Sequence, residues 1–114
     1  MSDDIEGAAS GQAEREQATR TFGMHWANDY ALYHAVLDYA GGLLRRQPGM
    51  TDLTLGRNVR DTVARWCLYP GDRTPAGVSP AVLDMMRSEV GDFHAVSELD
   101  VAEDVRYGLG VEHE

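Results

Sequence analysis

The sequence contains no lysine, a single cysteine and no long apolar run, and each absence excludes a class of protein. All ten basic residues are arginine, which favours planar, paired contacts over diffuse attraction to polyanions. With Cys67 alone, the chain forms neither an intrachain disulfide nor a multi-cysteine zinc site. Its neighbours Trp66 and Leu68 indicate a buried thiol. No stretch approaches the roughly 18 apolar residues of a membrane span, and no cationic start precedes an apolar segment. The sequence therefore predicts a cytoplasmic protein with no membrane partner.

The charge of the chain is strongly acidic and unevenly distributed. A formal net charge of -9 argues against non-specific binding to nucleic acid or to an anionic membrane. Arginines outnumber acids only in residues 45–73, whereas both ends of the chain are acidic. Direct nucleic-acid binding is therefore disfavoured, and a partner with a basic surface is expected.

Length and periodicity predict a mainly α fold. A chain of 114 residues is long enough for one core, and two independent cores are unexpected. We predict a small helical domain of three to four helices around a long aromatic-striped helix. Residues 1–12 have too little apolar content to offset their ordering entropy and are predicted to be a flexible acidic N-terminus. Residues 13–114 are predicted to form the single helical domain.

The long helix is predicted from apolar residues spaced three or four apart, which is the period of one helix face. Its start is placed as early as Ala13, and Gln47-Pro48-Gly49 ends it. Gly23, Asn28-Asp29 and Gly41-Gly42 are weak points at which it can break. The stripe comprises Phe22, Trp26, Tyr30, Tyr33, Leu37, Ala40 and Leu44.

Capping signals in the sequence predict two further helices. Thr51 or Asp52 is predicted to cap the first of them. Ser79-Pro80 is predicted to begin the second, and Gly91 to end it after about Val90. The predicted buried residues are Leu55, Val59, Val63 and Trp66 in the first helix, and Leu83, Met86 and Val90 in the second.

The C-terminal segment supports two alternatives. Ser97 followed by Asp100 resembles the start of a helix. The apolar residues from Leu99 to Val111, however, fall at odd positions and predict a short β-strand. Such a strand would pair with residues 93–96 in a hairpin or with a sheet edge of another chain.

An acidic surface is the first candidate site. Ordered carboxylates on a small protein can imitate the phosphates of DNA and occupy a basic groove, while solubility is the ordinary reason for such charge. The candidate partner-binding residues are Asp84, Glu89, Asp92, Glu98, Asp100, Glu103 and Asp104.

A basic helix face is the second candidate site. Arg57, Arg60 and Arg65 are predicted to lie opposite the buried face of the helix that follows Thr51, where they could bind phosphate or nucleic acid. Asp61 lies four residues from both Arg57 and Arg65, so a solvated face of ion pairs is the simpler interpretation.

Histidines provide a third, weaker candidate. His25 with Asp29, and His34 with Asp38, have the four-residue spacing that orients an imidazole or holds a metal. The two pairs would point to nearly opposite sides of one helix and cannot share an ion. Surface ion pairs or partly buried rings explain them more simply.

Catalytic signatures are missing. The sequence has no Gly-rich phosphate loop, nucleophile elbow, zinc-binding helix motif or calcium loop. Cys67 has no evident base to activate it. We therefore predict no catalytic residue, no metal and no cofactor.

These patterns favour a non-enzymatic protein-binding or inhibitory module, of the kind found among phage and mobile-element proteins. It would present an acidic, DNA-mimic-like surface to a partner that handles nucleic acid. One alternative is a nucleic-acid-binding regulator that uses the arginine face, and another is a small metal- or ligand-binding protein that uses His25 or His34. A homodimer is compatible with each of these functions, since the aromatic stripe can be larger than the apolar surface that one small domain buries by itself.

Overall fold

Five α-helices follow one another in the computed structural model, which describes residues 2–71 and 73–112. They are α1 (Ser2–Asn28), α2 (Tyr30–Arg46), α3 (Asp52–Leu68), α4 (Pro80–Val90) and α5 (Glu98–Glu112). A 3-10 helix, Phe93–Ala95, precedes α5, and the described part of the chain contains no strand. The predicted mainly α class is confirmed, with five helices in place of three to four.

The predicted long helix is broken at Asp29, one of its three predicted weak points. The Asp29 carboxylate accepts a hydrogen bond from the Leu32 backbone N–H at 2.9 Å and so caps α2. A cap residue has extended backbone geometry, which ends α1 and turns the chain. Tyr30 follows the turn and is 80% exposed, so the predicted aromatic stripe is interrupted there. The helices run unbroken through Gly23 and Gly41-Gly42.

Helix α1 begins at Ser2, well before the earliest predicted start at Ala13. Most of the segment predicted to be a flexible acidic N-terminus, residues 1–12, thus has helical backbone. The flexibility of that segment stays a prediction.

The caps predicted for α3 and α4 are confirmed. The Thr51 hydroxyl accepts a hydrogen bond from the Thr54 N–H at 3.3 Å, and the Ser79 hydroxyl accepts one from the Ala81 N–H at 3.2 Å. Pro80 occupies the first turn of α4, and Gly91 ends it with a positive φ of 76°. All seven residues predicted to be buried on these two helices are buried.

The C-terminal strand alternative is wrong, because residues 98–112 form α5. The Ser97 hydroxyl accepts a hydrogen bond from the Asp100 N–H at 3.3 Å, as in the predicted helical start. The buried residues Val101, Ala102 and Val105 follow a helical period. Leu99 and Tyr107, which completed the alternating pattern, are 57% and 76% exposed. The residues predicted as its hairpin partner, 93–96, include the 3-10 helix.

Residues of all five helices contribute to one hydrophobic core. Helix α3 packs most extensively against α5, and α1 packs against both α4 and α2. At Gly56 the backbone of α3 approaches the Glu98 carbonyl so closely that an added Cβ would lie 1.7 Å from its oxygen. Phe22 of α1 contacts Phe93 of the 3-10 helix edge to face, with ring centroids 6.1 Å apart. The helix packing therefore brings α5 and the 3-10 helix against α1.

No helix in the described ranges, 2–71 and 73–112, has the length and apolar character needed to cross a membrane.

Candidate functional site

Three residues of the predicted acidic surface converge on one cleft. Asp100, Glu103 and Asp104 share a face of α5, and Glu16 of α1 faces them across a cleft of about 600 Å³. The remaining lining residues, all from α1, are Thr19, Arg20, Gly23 and Met24. We call this the acidic cleft.

Backbone contacts fix the position of α5 beside α1. The Thr19 hydroxyl donates to the Arg15 carbonyl at 2.7 Å and accepts from the Ser97 N–H at 2.9 Å. Asp104 lies close to α1 at Gly23, where an added Cβ would be 3.5 Å from the Asp104 Oδ2, an ordinary van der Waals contact. The acids of the cleft are therefore held by helices on both sides.

The acidic cleft carries four carboxylates and a single guanidinium, that of Arg20. Among the described side chains, none of its four carboxylates forms an ion pair, and Arg20 lines the cleft without reaching one. Asp104 is exposed, but its partial desolvation against α1 raises the pKa of its carboxyl above the ordinary value, and repulsion from Glu103 and Asp100 raises it further. A cationic partner would relieve this repulsion.

Asp104→Asn is expected to raise the thermal unfolding midpoint at neutral pH. The raised pKa means that folded Asp104 holds its proton more tightly than the unfolded chain does. Stability therefore falls as the pH rises from the ordinary pKa of 3.8 through the raised one. The gain should be present at pH 7 and vanish well below pH 3.8, where the carboxyl is protonated in both states. Thermal unfolding followed by circular dichroism across this pH range measures it.

Asp38→Asn is the matched control, because it removes the same charge from an exposed position on α2 that does not line the cleft. An equal rise in both variants would mean that net charge, and not the cleft, destabilises the protein.

The other four predicted acids are engaged elsewhere. Asp84 pairs with Arg87 at 2.7 Å on the surface of α4, and Glu89 bonds to His25 of α1. The Asp92 carboxylate caps the 3-10 helix, accepting from the His94 N–H at 3.0 Å. Glu98 accepts hydrogen bonds from two arginines of α3. The structure therefore does not join all seven acids into one surface.

A second groove carries acids on the other flank of α1. It has a volume of about 580 Å³ and lies between α1 and the end of α4. Its acidic lining residues are Glu14, Glu89 and Asp92. The middle of α1 is therefore bordered by carboxylates on both sides.

The predicted basic face is not a continuous surface. Arg60, predicted to lie opposite the buried face, is instead 6% exposed. Its guanidinium donates to the Val96 carbonyl at 3.3 Å, to Glu98 at 3.0 Å and to Asp61 at 3.0 Å. Three hydrogen bonds to fixed acceptors allow this arginine to be buried, which helical spacing alone does not reveal.

The other two arginines of that face also have different surroundings from those predicted. Arg57 pairs with Glu98 at 3.3 Å, and Asp61 pairs with its neighbour Arg60 in place of Arg57 or Arg65. Arg65 donates to the Thr62 hydroxyl at 3.0 Å and lines a separate cleft beside α2. The three arginines thus do not present one phosphate-binding face.

His25 and His34 contact residues other than the aspartates predicted to pair with them. His25 bonds to Glu89 and not to Asp29, which caps α2. His34 packs against Tyr30 and Tyr33, with ring centroids 4.3 and 5.4 Å away. Within residues 2–71 and 73–112, no group of three or more His, Cys, Asp or Glu side chains is placed to hold a metal ion.

The predicted burial of Cys67 is confirmed, at 3% exposure. Burial raises the pKa of its thiol to about 11, although the nearby positive charge of Arg87 acts in the opposite direction. The thiol is therefore protonated at neutral pH, which makes it a poor nucleophile.

Sequence reasoning missed Glu16 and Met24, which lie on the same α1 face as Arg20 and complete the acidic cleft. Their helical spacing is visible in the sequence. Only the packing of α5 against α1 makes that face part of a cleft.

A scan against protein-family models and searches of curated proteins and of solved structures found no match to this chain. Over its described residues, the chain folds into five helices around one hydrophobic core, with a cleft on one side of α1 whose four carboxylates form no ion pair.

Proposed function

We propose that this protein is a non-enzymatic binding or inhibitory module that presents the acidic cleft to a basic surface of a partner protein. The partner handles nucleic acid, and the carboxylates occupy the positions of phosphates in its binding groove. The observation that carries this proposal is the meeting of Glu16, Asp100, Glu103 and Asp104 without a compensating ion pair in the described part of the chain.

Electrostatics supports a basic partner over other ligands. The net charge of -9 repels anions over long distances and accelerates the encounter with a positive surface. An arginine or lysine paired with Asp104 would offset the burial and the repulsion that raise the pKa of this carboxyl. Binding should then release protons at pH values between the ordinary pKa of 3.8 and the raised one.

The composition of the cleft also supports a protein partner. Met24 is 49% exposed on its wall and provides an apolar contact beside the acids. Methionine is enriched at protein interfaces, where a small apolar centre is surrounded by polar groups. An array of carboxylates beside an exposed apolar side chain is better suited to binding a groove on a protein than to binding a simple cation.

Affinity capture tests the proposal. The tagged protein is incubated with nuclease-treated lysate of the organism that encodes it and washed at two salt concentrations. We expect a basic nucleic-acid-binding protein to be retained and to dissociate at the higher salt, because salt screens exposed charges. Excess duplex DNA should displace the protein from this partner if the two compete for one groove.

Charge-matched variants then locate the interface. Glu103→Gln/Asp104→Asn removes two carboxylates from the cleft, and Glu14→Gln/Asp38→Asn removes one glutamate and one aspartate from exposed positions outside it. We expect the first variant to weaken binding about tenfold or more, since one close interfacial charge pair contributes about 1.5 kcal/mol or more. The second should bind nearly as the unmodified protein does. Equal loss in both, or no retained partner at either salt concentration, would refute the proposal.

A further inference from the structure

A second cleft, beside α2, combines aromatic and basic side chains. It has a volume of about 400 Å³ and lies between α2, the last turns of α3 and the loop that follows them. This volume falls in the range of small-molecule sites, roughly 300 to 1,000 Å³. Its lining residues are Tyr39, Thr62, Arg65, Trp66, Tyr69 and Arg73.

The two arginines of this cleft are available to an anion. Arg57, Arg60, Arg87 and Arg106 each pair with an acid, whereas neither Arg65 nor Arg73 does so among the described residues. The Thr62 hydroxyl accepts from Arg65 Nη2 at 3.0 Å and thereby orients the guanidinium. An arginine has five N–H donors, so the others stay free for a phosphate or carboxylate.

The aromatic side chains form a partly fixed and partly open wall. Trp66 is 8% exposed and contacts Tyr39 edge to face, with ring centroids 6.4 Å apart. Tyr69, at the C-cap of α3, is 77% exposed and free to stack on a planar group. Aromatic rings of this kind stack on nucleobases with little preference among them.

We propose that this cleft binds a mononucleotide, with the phosphate on Arg65 and Arg73 and the base against Tyr69. Two arginines are needed, because the C-terminal end of α3 has a partial negative charge that opposes an anion. The net charge of -9 repels a long nucleic-acid strand much more strongly than a single nucleotide. The ligand is therefore the free mononucleotide, and the site is independent of the acidic cleft.

Isothermal titration calorimetry of the full chain with AMP, GMP, CMP and UMP tests this proposal, with inorganic phosphate and adenosine as separate probes. We expect at least one mononucleotide to bind with a Kd on the order of 100 µM or tighter. Phosphate alone and adenosine alone should each bind at least about tenfold more weakly, since each makes only one of the two contacts.

Three variants assign the contacts. Arg65→Gln should weaken nucleotide binding about tenfold through the phosphate. Tyr69→Ala should weaken it by a similar factor through the base, leaving phosphate binding unchanged. Arg45→Gln removes the same charge from an exposed arginine outside the cleft and should have no effect.

Several outcomes would overturn the proposal. They are a Kd weaker than about 100 µM for all four mononucleotides, equal affinity for phosphate and nucleotide, and equal loss in Arg45→Gln and Arg65→Gln. Tighter binding of a ten-residue single-stranded oligonucleotide than of any mononucleotide would assign the cleft to nucleic-acid strands and refute the free nucleotide as its ligand.

Discussion

Gly56→Ala is expected to lower the free energy of unfolding by about 3 kcal/mol, a large part of the roughly 5 to 15 kcal/mol typical of a small domain. The new Cβ would lie 1.7 Å from the Glu98 carbonyl oxygen and 2.5 Å from its carbonyl carbon. Both are backbone atoms and cannot rotate away, so α3 and α5 must separate. The helix propensity of alanine returns only about 1 kcal/mol.

Separation of these helices affects more than one contact. The α3–α5 interface is the most extensive in the fold, and the hydrogen bond from Arg60 to Glu98 crosses it one turn away. Chemical denaturation followed by circular dichroism measures the loss. The thermal midpoint should fall by on the order of 10 °C.

Gly42→Ala is the control for this substitution. Gly42 also lies within a helix, but its added Cβ would meet only the ends of two arginine side chains, at 3.8 and 3.9 Å. This variant should be about 0.5 to 1 kcal/mol more stable than the unmodified protein, because glycine is unfavourable in a helix. A stabilising effect of both alanine variants would contradict the close approach of the Gly56 backbone to the Glu98 carbonyl.

Arg60→Leu is expected to lower the free energy of unfolding by about 3 kcal/mol. The substitution leaves the Val96 carbonyl without its Arg60 hydrogen bond and removes one of the two arginines that pair with Glu98. A buried acceptor without a partner costs about 1 to 3 kcal/mol, and a poorly compensated carboxylate adds to that cost. Denaturant unfolding monitored by circular dichroism gives the value.

Arg57→Leu provides the comparison, because Arg57 pairs with the same carboxylate but is 55% exposed in its side chain. Exposed ion pairs contribute about 1 kcal/mol or less. In a Glu98→Gln background the cost of Arg60→Leu should fall, since part of that cost arises from Glu98. Equal, small effects of the two arginine substitutions would show that Arg60 has no structural role and would restore it to the candidate basic face.

The Arg60 result also decides how nucleic-acid binding should be tested. Changing Arg57, Arg60 and Arg65 together to alanine would destabilise the fold, so a loss of binding could not be assigned to a surface. Single substitution of Arg65 avoids this problem, because that residue is exposed and makes its side-chain hydrogen bond within its own helix.

Local chemistry made much of the fold predictable. Thr51, Ser79 and Gly91 act within one turn of their own position, so their capping roles could be inferred without tertiary structure. The turn at Asn28-Asp29 was visible as a weak point for the same reason. The burial of Leu55, Val59 and Val63 followed from helical period.

The C-terminal helix shows where local patterns are insufficient. Alternation from Leu99 to Val111 favoured a strand, and Ser97 favoured a helix. Packing decides between them, because Val101, Ala102 and Val105 fit against the core only when they lie on one helical face. Leu99 and Tyr107 have the apolar character of core residues but lie on the exposed side.

The candidate sites depended still more on tertiary structure. The acidic cleft needs Glu16 from α1 beside Asp100, Glu103 and Asp104, which come from the opposite end of the chain. The cleft beside α2 likewise joins Tyr39 to residues more than twenty positions later. Neither juxtaposition leaves a signal in residue spacing.

By itself, the sequence determined the helical class, the caps of α3 and α4, the apolar residues that these two helices bury and the acidic composition, because each depends on neighbouring residues or on composition. Only the tertiary structure decided which charged side chains form ion pairs and which do not. Arg60 and Glu98 neutralise each other across two helices, while Asp100, Glu103 and Asp104 meet a further acid. Electrostatic interactions depend on distance in space, and that distance is set by how the helices pack.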